Sequence, residues 1–192
     1  MRRRAERRAR ERSLTRAGIL AAARAVAARE GAADLSLRAV AAEAGFAPAA
    51  LYGYFANKNE LLVALAADDL GVLARALREA GNEGGLVPVA NAVLDLLQNT
   101  ETFAAVSAAL PPQAGASDVE RVFNGRLIAA LRALSDAAGL AQKTRTDQAD
   151  IVLLAASLAG LAVFARTGRL GALGFSPQDM IAALDRRFAP AR

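Results

Sequence analysis

Apolar positions recur at helical spacing from about residue 15 to the end of the chain, and glycine, proline and capping residues cut the pattern into short and long helices. A first helix is predicted from Thr15, a good N-cap, to Glu30, with Ile19, Leu20, Ala23, Val26 and Ala27 on one face and Gly31 as the stop. Ser36 caps a short second helix whose Val40, Ala41 and Ala44 turn inward. Gly45 falls where a tight interhelical turn needs positive φ, and Phe46 is expected to plug the gap between two helices. Pro48 suits the first turn of a third helix that ends near Tyr54 or Phe55, anchored inward by Leu51 and Phe55. Asn57 and Glu60 make a start close to a capping box for a long fourth helix, with Leu61, Leu65, Val72, Leu73 and Leu77 inward as far as about Ala80.

Gly81, Gly84 and Gly85 then mark a loop, and helical patterning resumes beyond it. One helix is expected from Pro88 to Asn99 and a shorter one from Phe103 to Leu110, before the Pro111-Pro112 break. Ser117 and Glu120 suggest a capping box for a helix to about Ala138, with Val119, Val122, Phe123, Leu127 and Leu131 inward. Thr146 is the expected cap of an apolar helix ending near Gly168, and Ser176-Pro177 opens a last helix to Phe188.

Composition supports an all-α fold. Hydrophobic residues make up 54% of the 192, but only 5% are aromatic, so the core must be mostly alanine, leucine and valine. Alanine and leucine favour helix, and the residues that favour strands are scarce. The chain has neither cysteine nor histidine, which removes thiol nucleophiles, thiolate metal sites and the commonest general base. No catalytic constellation, metal site or cofactor motif is visible, so an enzyme is not expected. The basic start lacks the apolar run of a signal peptide, and the most apolar stretch, Ile151 to Ala165, falls short of the roughly 18 residues needed to span a bilayer. A cytoplasmic protein without a membrane partner is therefore expected.

Charge is uneven. The net charge is +5 overall but +6 over residues 1–16, leaving −1 for the rest. Residues 1–13 have no apolar stripe and are expected to be a disordered basic arm, either a solvated tail or a segment that lies along a polyanion such as DNA. Residues 14–62 then suit a helix-turn-helix, with a brace helix from Ser36, a turn at Gly45 and a recognition helix from Ala47 to Tyr54. Ser36 can offer its hydroxyl to a phosphate, Arg38 lies outward one turn in, Tyr52 and Tyr54 carry phenols, and Lys58 flanks them as a point charge. The same spacing also suits a plain helical hairpin with surface tyrosines.

From Thr15 to Leu65 the sequence resembles the N-terminal domain of the tetracycline-repressor (TetR) family. The resemblance is carried by Arg29-Glu30-Gly31, Ser36-Leu37-Arg38, Ala44-Gly45, Leu51-Tyr52, Tyr54-Phe55, Asn57-Lys58 and Glu60-Leu61-Leu62, about a quarter of the chain. It implies a homodimeric transcription regulator whose recognition helices sit about 34–36 Å apart on double-stranded DNA bearing a palindromic operator. It also implies that Ser36, Arg38, Tyr52, Tyr54 and Lys58 hold phosphates, while Ala47, Pro48, Ala49 and Ala50 face the bases. Many relatives carry hydroxyls or larger polar groups there and a larger side chain at position 53, where this chain has Gly53. Base readout should therefore rest on methyl contacts, Arg38 and DNA shape.

Residues 63–192 are expected to sense a ligand and dimerise, the domain boundary lying inside the long helix. Ala156 and Gly160 give small-residue spacing for close helix approach, with Leu153, Leu154, Ser157, Leu158 and Leu161 around them. The resemblance places the dimer interface on that helix and the last one, adding Met180 and Leu184. Candidate ligand contacts are Asn91, Leu94, Phe103, Ser107, Phe123, Asn124 and Phe164, for an apolar or neutral small-molecule effector that releases a repressor. The rival readings are an effector-independent architectural DNA binder and a helical enzyme or scaffold.

Overall fold

The computed structural model describes residues 2–31, 33–98, 118–140 and 142–188. Among these residues there is no strand. The expected helix from Phe103 to Leu110, the capping role of Ser117, and the candidate ligand contacts Phe103 and Ser107 lie outside the described residues. The chain divides into two compact units, the first reaching Ala66 and including residues 118–121, the second holding residues 67–98 and 122–188.

The first unit opens with helix α1, Arg2–Glu30. Its start lies well before the predicted one, and the expected disordered arm is instead exposed helix from Arg3 to Leu14. Arginine, alanine and glutamate are strong helix formers, and an Arg7–Glu11 pair at 3.5 Å joins neighbouring turns. The unfavourable nucleus is supplied by the buried turns at Ile19, Ala23, Val26 and Ala27, so propagation toward the N-terminus needs no apolar stripe. Thr15 is accordingly not a cap, since its hydroxyl donates to the Glu11 carbonyl at 3.0 Å inside the helix.

Helix α2, Leu37–Glu43, packs on α1, and helix α3, Pro48–Leu51, packs on α2. The third helix is half the predicted length, because the chain turns through Tyr52, Gly53 and Tyr54. Phe46 is not the expected plug. It is 38% exposed, because the left-handed turn at Gly45 carries the chain outward, its amide bonding back to the Ala41 carbonyl at 2.8 Å. The largest fully buried side chains in this unit are Ile19, Leu35, Leu51, Phe55, Leu61 and Leu65, the last two from the start of helix α4, Lys58–Ala80. Asn57 opens α4 by accepting from the Glu60 amide at 2.9 Å, and Glu60 reaches back to the Ala56 amide at 2.6 Å.

In the second unit α4 ends in a short 3-10 turn, Gly81–Glu83, followed by helices α5, Leu86–Gln98, and α6, Asp118–Ala137. Helices α7, Arg145–Arg166, α8, Arg169–Ala172, and α9, Pro177–Phe188, complete it. Helix α5 packs against both α7 and α9, which also touch each other, and α8 packs on α7. Val89, Ala90, Leu94, Leu154, Leu158 and Ile181 form this core.

Three sequence expectations change here. The buried residues of α6 are Ala130, Ala133, Leu134 and Ser135, not the predicted stripe, of which Val122 is 51% and Leu127 37% exposed. At the end of α6 the neighbouring chain also comes close: a Cβ on Gly81 would lie 2.8 Å from that of Ala137. Thr144, not Thr146, caps α7, because Asp147 stands three residues on and completes a capping box, whereas the residue three beyond Thr146 is Ala149. Finally, although the most apolar stretch within it is 15 residues long, α7 as a whole spans 22 residues and by length and composition is long and apolar enough to cross a membrane. One face is nonetheless packed in the unit, through Ile151, Leu154, Leu158 and Leu161.

Candidate nucleic-acid interface

Ser36 sets the brace helix. In extended conformation (φ −127°, ψ 147°), it accepts from the Ala39 amide at 3.1 Å, which leaves the hydroxyl proton available to an outside acceptor. Arg38 stands exposed in the first turn. Arg29, in the last turn of α1, holds the other end of α2 by donating to Glu43 at 3.1 Å, and it also bonds Glu30. Those hydrogen bonds, the Glu30 bond first, hold the Arg29 pKa above its ordinary value. Gly45, at φ 72°, then reverses the chain into α3.

The outer edge of α3 is apolar. Ala47, Pro48, Ala49 and Ala50 are all exposed, Ala47 offers no side-chain cap, and Tyr52 is 60% exposed. With Ser36 and Arg38 these make seven exposed candidates. The other two are half-buried and already bonded within the chain. Tyr54 lies beneath the Arg12 guanidinium, 5.0 Å from ring centroid to carbon, and the Lys58 ammonium donates to the Ala33 carbonyl. Both help hold the head together as it stands.

Two residues were missed from the sequence. Arg12 donates to the Gly53 carbonyl at 2.7 Å as well as covering Tyr54, and Arg16 lies 5.1 Å from the Phe55 ring centroid. The signal was present, because positions 12 and 16 extend the buried stripe of Ile19, Ala23 and Val26 backward at helical spacing.

On the second unit an open apolar groove of about 530 Å³ is lined by residues of α7, α8, α9 and the turn after α8, among them Ser157, Gly160, Phe164, Leu173, Met180 and Leu184. Leu153, Ala156 and Gly160, predicted for the dimer interface, are exposed, and Ser157, Met180 and Leu184 are half-buried. Leu154 and Leu158 depart from that prediction: at 0% and 1% exposure they belong to their own chain's core, and Leu161 is also buried although it reaches the groove. An apolar helix has two faces, and these leucines lie on the one turned to α5. Of the described candidate ligand contacts only Phe164 lines the groove, while Leu94 is core, Phe123 half-buried, and Asn91 and Asn124 exposed. Among the described residues no group of three His, Cys, Asp or Glu side chains could hold a metal.

A serine-capped brace, a glycine turn and a short exposed second helix on a helical core define a helix-turn-helix, and this is an all-α DNA-binding transcription regulator. Residues 19–65, the segment that holds the helix-turn-helix, match the profile of bacterial regulatory proteins of the tetR family. Its fold is similar over 92% of its length to a TetR transcriptional regulator from Rhodococcus sp. RHA1, covering 94% of that chain at 23% identity and a TM-score of 0.67. It is likewise similar to a Rhodococcus sp. RHA1 protein of unknown function, with 92% and 96% of the two chains covered, 25% identity and a TM-score of 0.68. The transcriptional regulator FadR from Bacillus subtilis, solved with stearoyl-CoA, shares the fold over 88% of this chain and 96% of its own, at 18% identity and a TM-score of 0.60. No curated protein matches the chain in sequence.

Proposed function

We propose that this protein is a homodimeric repressor that binds a palindromic operator and is released by an apolar or neutral small molecule. The observation that carries the proposal is the head itself: Ser36, Arg38 and Tyr52 stand exposed around the bare edge of α3, where a brace helix and a recognition helix would meet phosphates and bases. Arg3 to Arg10 add a charged helical extension that would strengthen binding through counterion release. Dimerisation is supported by the exposed apolar residues Val152, Leu153, Phe164 and Leu173 on α7 and beside α8, a second copy covering what one chain leaves in water. Effector response is supported by the likeness to FadR, whose acyl-CoA ligand carries a long apolar chain. Release requires the effector to favour a different position of α4, whose Leu61 and Leu65 lie in the core of the head; a coupling of about 1–3 kcal/mol is typical of such switches. On this reading the protein acts in the cytoplasm and catalyses nothing.

The test is footprinting on duplex DNA from upstream of the protein's own coding region, with sedimentation of the free protein. Protection of a palindrome by a dimer is the expected result. A monomer at micromolar concentration, or retardation of all duplexes alike, would remove the proposal.

A further inference from the structure

We infer that Arg12, seconded by Arg16, is a positioning residue for DNA reading: it fixes the turn that ends the recognition helix. The inference rests on the DNA-binding reading above.

Helix α3 is poorly equipped to hold its own shape. It has four residues, an N-cap without a side-chain bond, and a glycine two positions past its end. The backbone bonds that close the turn that follows are short-range, from the Gly53 amide to Ala50 at 3.2 Å and from the Tyr54 and Phe55 amides to Leu51 at 2.8 and 2.9 Å. Leu51 and Phe55 anchor both ends of this turn in the core, but Tyr52 and Gly53 between them are exposed.

Arg12 comes from 41 residues earlier to close it. One guanidinium nitrogen donates to the Gly53 carbonyl, which the helix leaves without an acceptor role, while the guanidinium plane lies over Tyr54. One turn further along α1, Arg16 lies over Phe55. Two arginines on one rigid helix thus hold the two consecutive aromatic residues that follow α3, a pairing of donor and flat cation that lysine cannot fully reproduce. Gly53 is part of the fit, because a Cβ there would come 3.3 Å from the Ala50 carbonyl oxygen and press on the end of α3. The basic helix therefore divides its work. Arginines near its start add charge toward DNA, and the two nearest the head act on the protein.

The experiment compares wild type, Arg12→Ala, Arg12→Lys and Arg8→Ala on two probes: a duplex selected by the wild-type protein from a random pool, and a scrambled duplex of equal length. Affinity is measured across a salt series, and each variant's melting temperature is recorded. Positioning predicts that R12A loses about tenfold on the selected duplex, changes little on the scrambled one, keeps its melting temperature, and is partly rescued by R12K. Its salt slope should match wild type, whereas R8A should flatten the slope by up to about 0.9, the value for one lost phosphate contact. The inference is overturned if R12A weakens both duplexes equally with a flattened slope, if it changes nothing, or if its loss follows a fall in melting temperature. A wild-type protein that selects no sequence overturns the DNA-reading proposal itself, a result separate from these.

Discussion

Replacing Gly45 with alanine tests whether the turn between brace and recognition helices is set by backbone geometry alone. Gly45 sits at φ 72°, and a Cβ built there meets nothing within 4 Å. Crowding by neighbours therefore adds nothing, and the cost belongs to the residue's own conformation. A left-handed L-residue costs about 1–2 kcal/mol. Alanine also restricts the unfolded chain, which offsets about 0.4–1 kcal/mol of that. The expected net loss is about 1 kcal/mol. That corresponds to about 4–8 °C if the unit ending at Ala66 melts by itself, and about 2–4 °C if the chain melts as one. Far-UV circular dichroism at fixed protein concentration, heated and in urea, reads both quantities. Gly45→Asn is the matched control, since asparagine tolerates the left-handed region and should recover most of the loss. The reasoning is refuted if G45A is as stable as wild type, or if G45N falls as far as G45A.

The remaining predictions separate stability from binding. Ser36→Ala should cost about 1 kcal/mol by uncapping α2 and weaken DNA binding, whereas Ser36→Asp should keep the cap yet abolish binding by placing a carboxylate beside phosphates; melting and gel retardation distinguish them. Leu153→Glu puts a charge on a side chain that is 57% exposed, so it should leave the chain folded while sedimentation shifts from dimer to monomer. Asp147 and Asp179 have pKa values below the usual carboxylate value, the first chiefly through the Thr144 amide and the second through the Ser176 hydroxyl and amide. Because folding lowers these values, their contribution is complete above the unfolded value of 3.8 and is lost as pH falls through the lower folded values. Melting temperature should therefore drop in that acid range, and the drop should be shallower in an Asp147→Asn, Asp179→Asn double variant.

How much was legible depended on whether a local rule had a competitor. The stripe of α1, the Ser36 cap, the Gly45 turn and the Leu51–Phe55 anchor follow from adjacent residues, and each stands in the structure as the sequence implies. Errors arose where two signals overlapped. Two threonines stand at the start of α7, and only the one with an acidic residue three positions on could form the reciprocal box. In α6 large apolar residues outnumber small ones, yet three of the four residues buried along it, Ala130, Ala133 and Ser135, are small. The arm has no apolar stripe and is helical all the same, because an existing helix extends through any good helix formers. Arg12 was missed for a related reason: a cation on an otherwise buried stripe looks like the end of the stripe, while here it continues onto an aromatic ring.

Alanine and proline along the outer edge of α3 offer no side-chain donor or acceptor, so on the proposed reading discrimination comes from thymine methyl contacts and from DNA shape. A methyl contact falls off within a fraction of an ångström of its optimum, far more steeply than a charge–phosphate attraction. A head of this kind can keep nearly all its non-specific affinity while its reading edge is misplaced, and lose its selectivity entirely. Rigidity of α3 then matters more than in a relative with polar reading residues, which can adjust a long side chain to recover a hydrogen bond. The contacts that supply rigidity here are the buried Leu51 and Phe55 beneath the helix and the Arg12 and Arg16 guanidinium groups across its end. It follows that substituting polar residues at Ala47 or Ala50 should reduce the dependence of selectivity on Arg12.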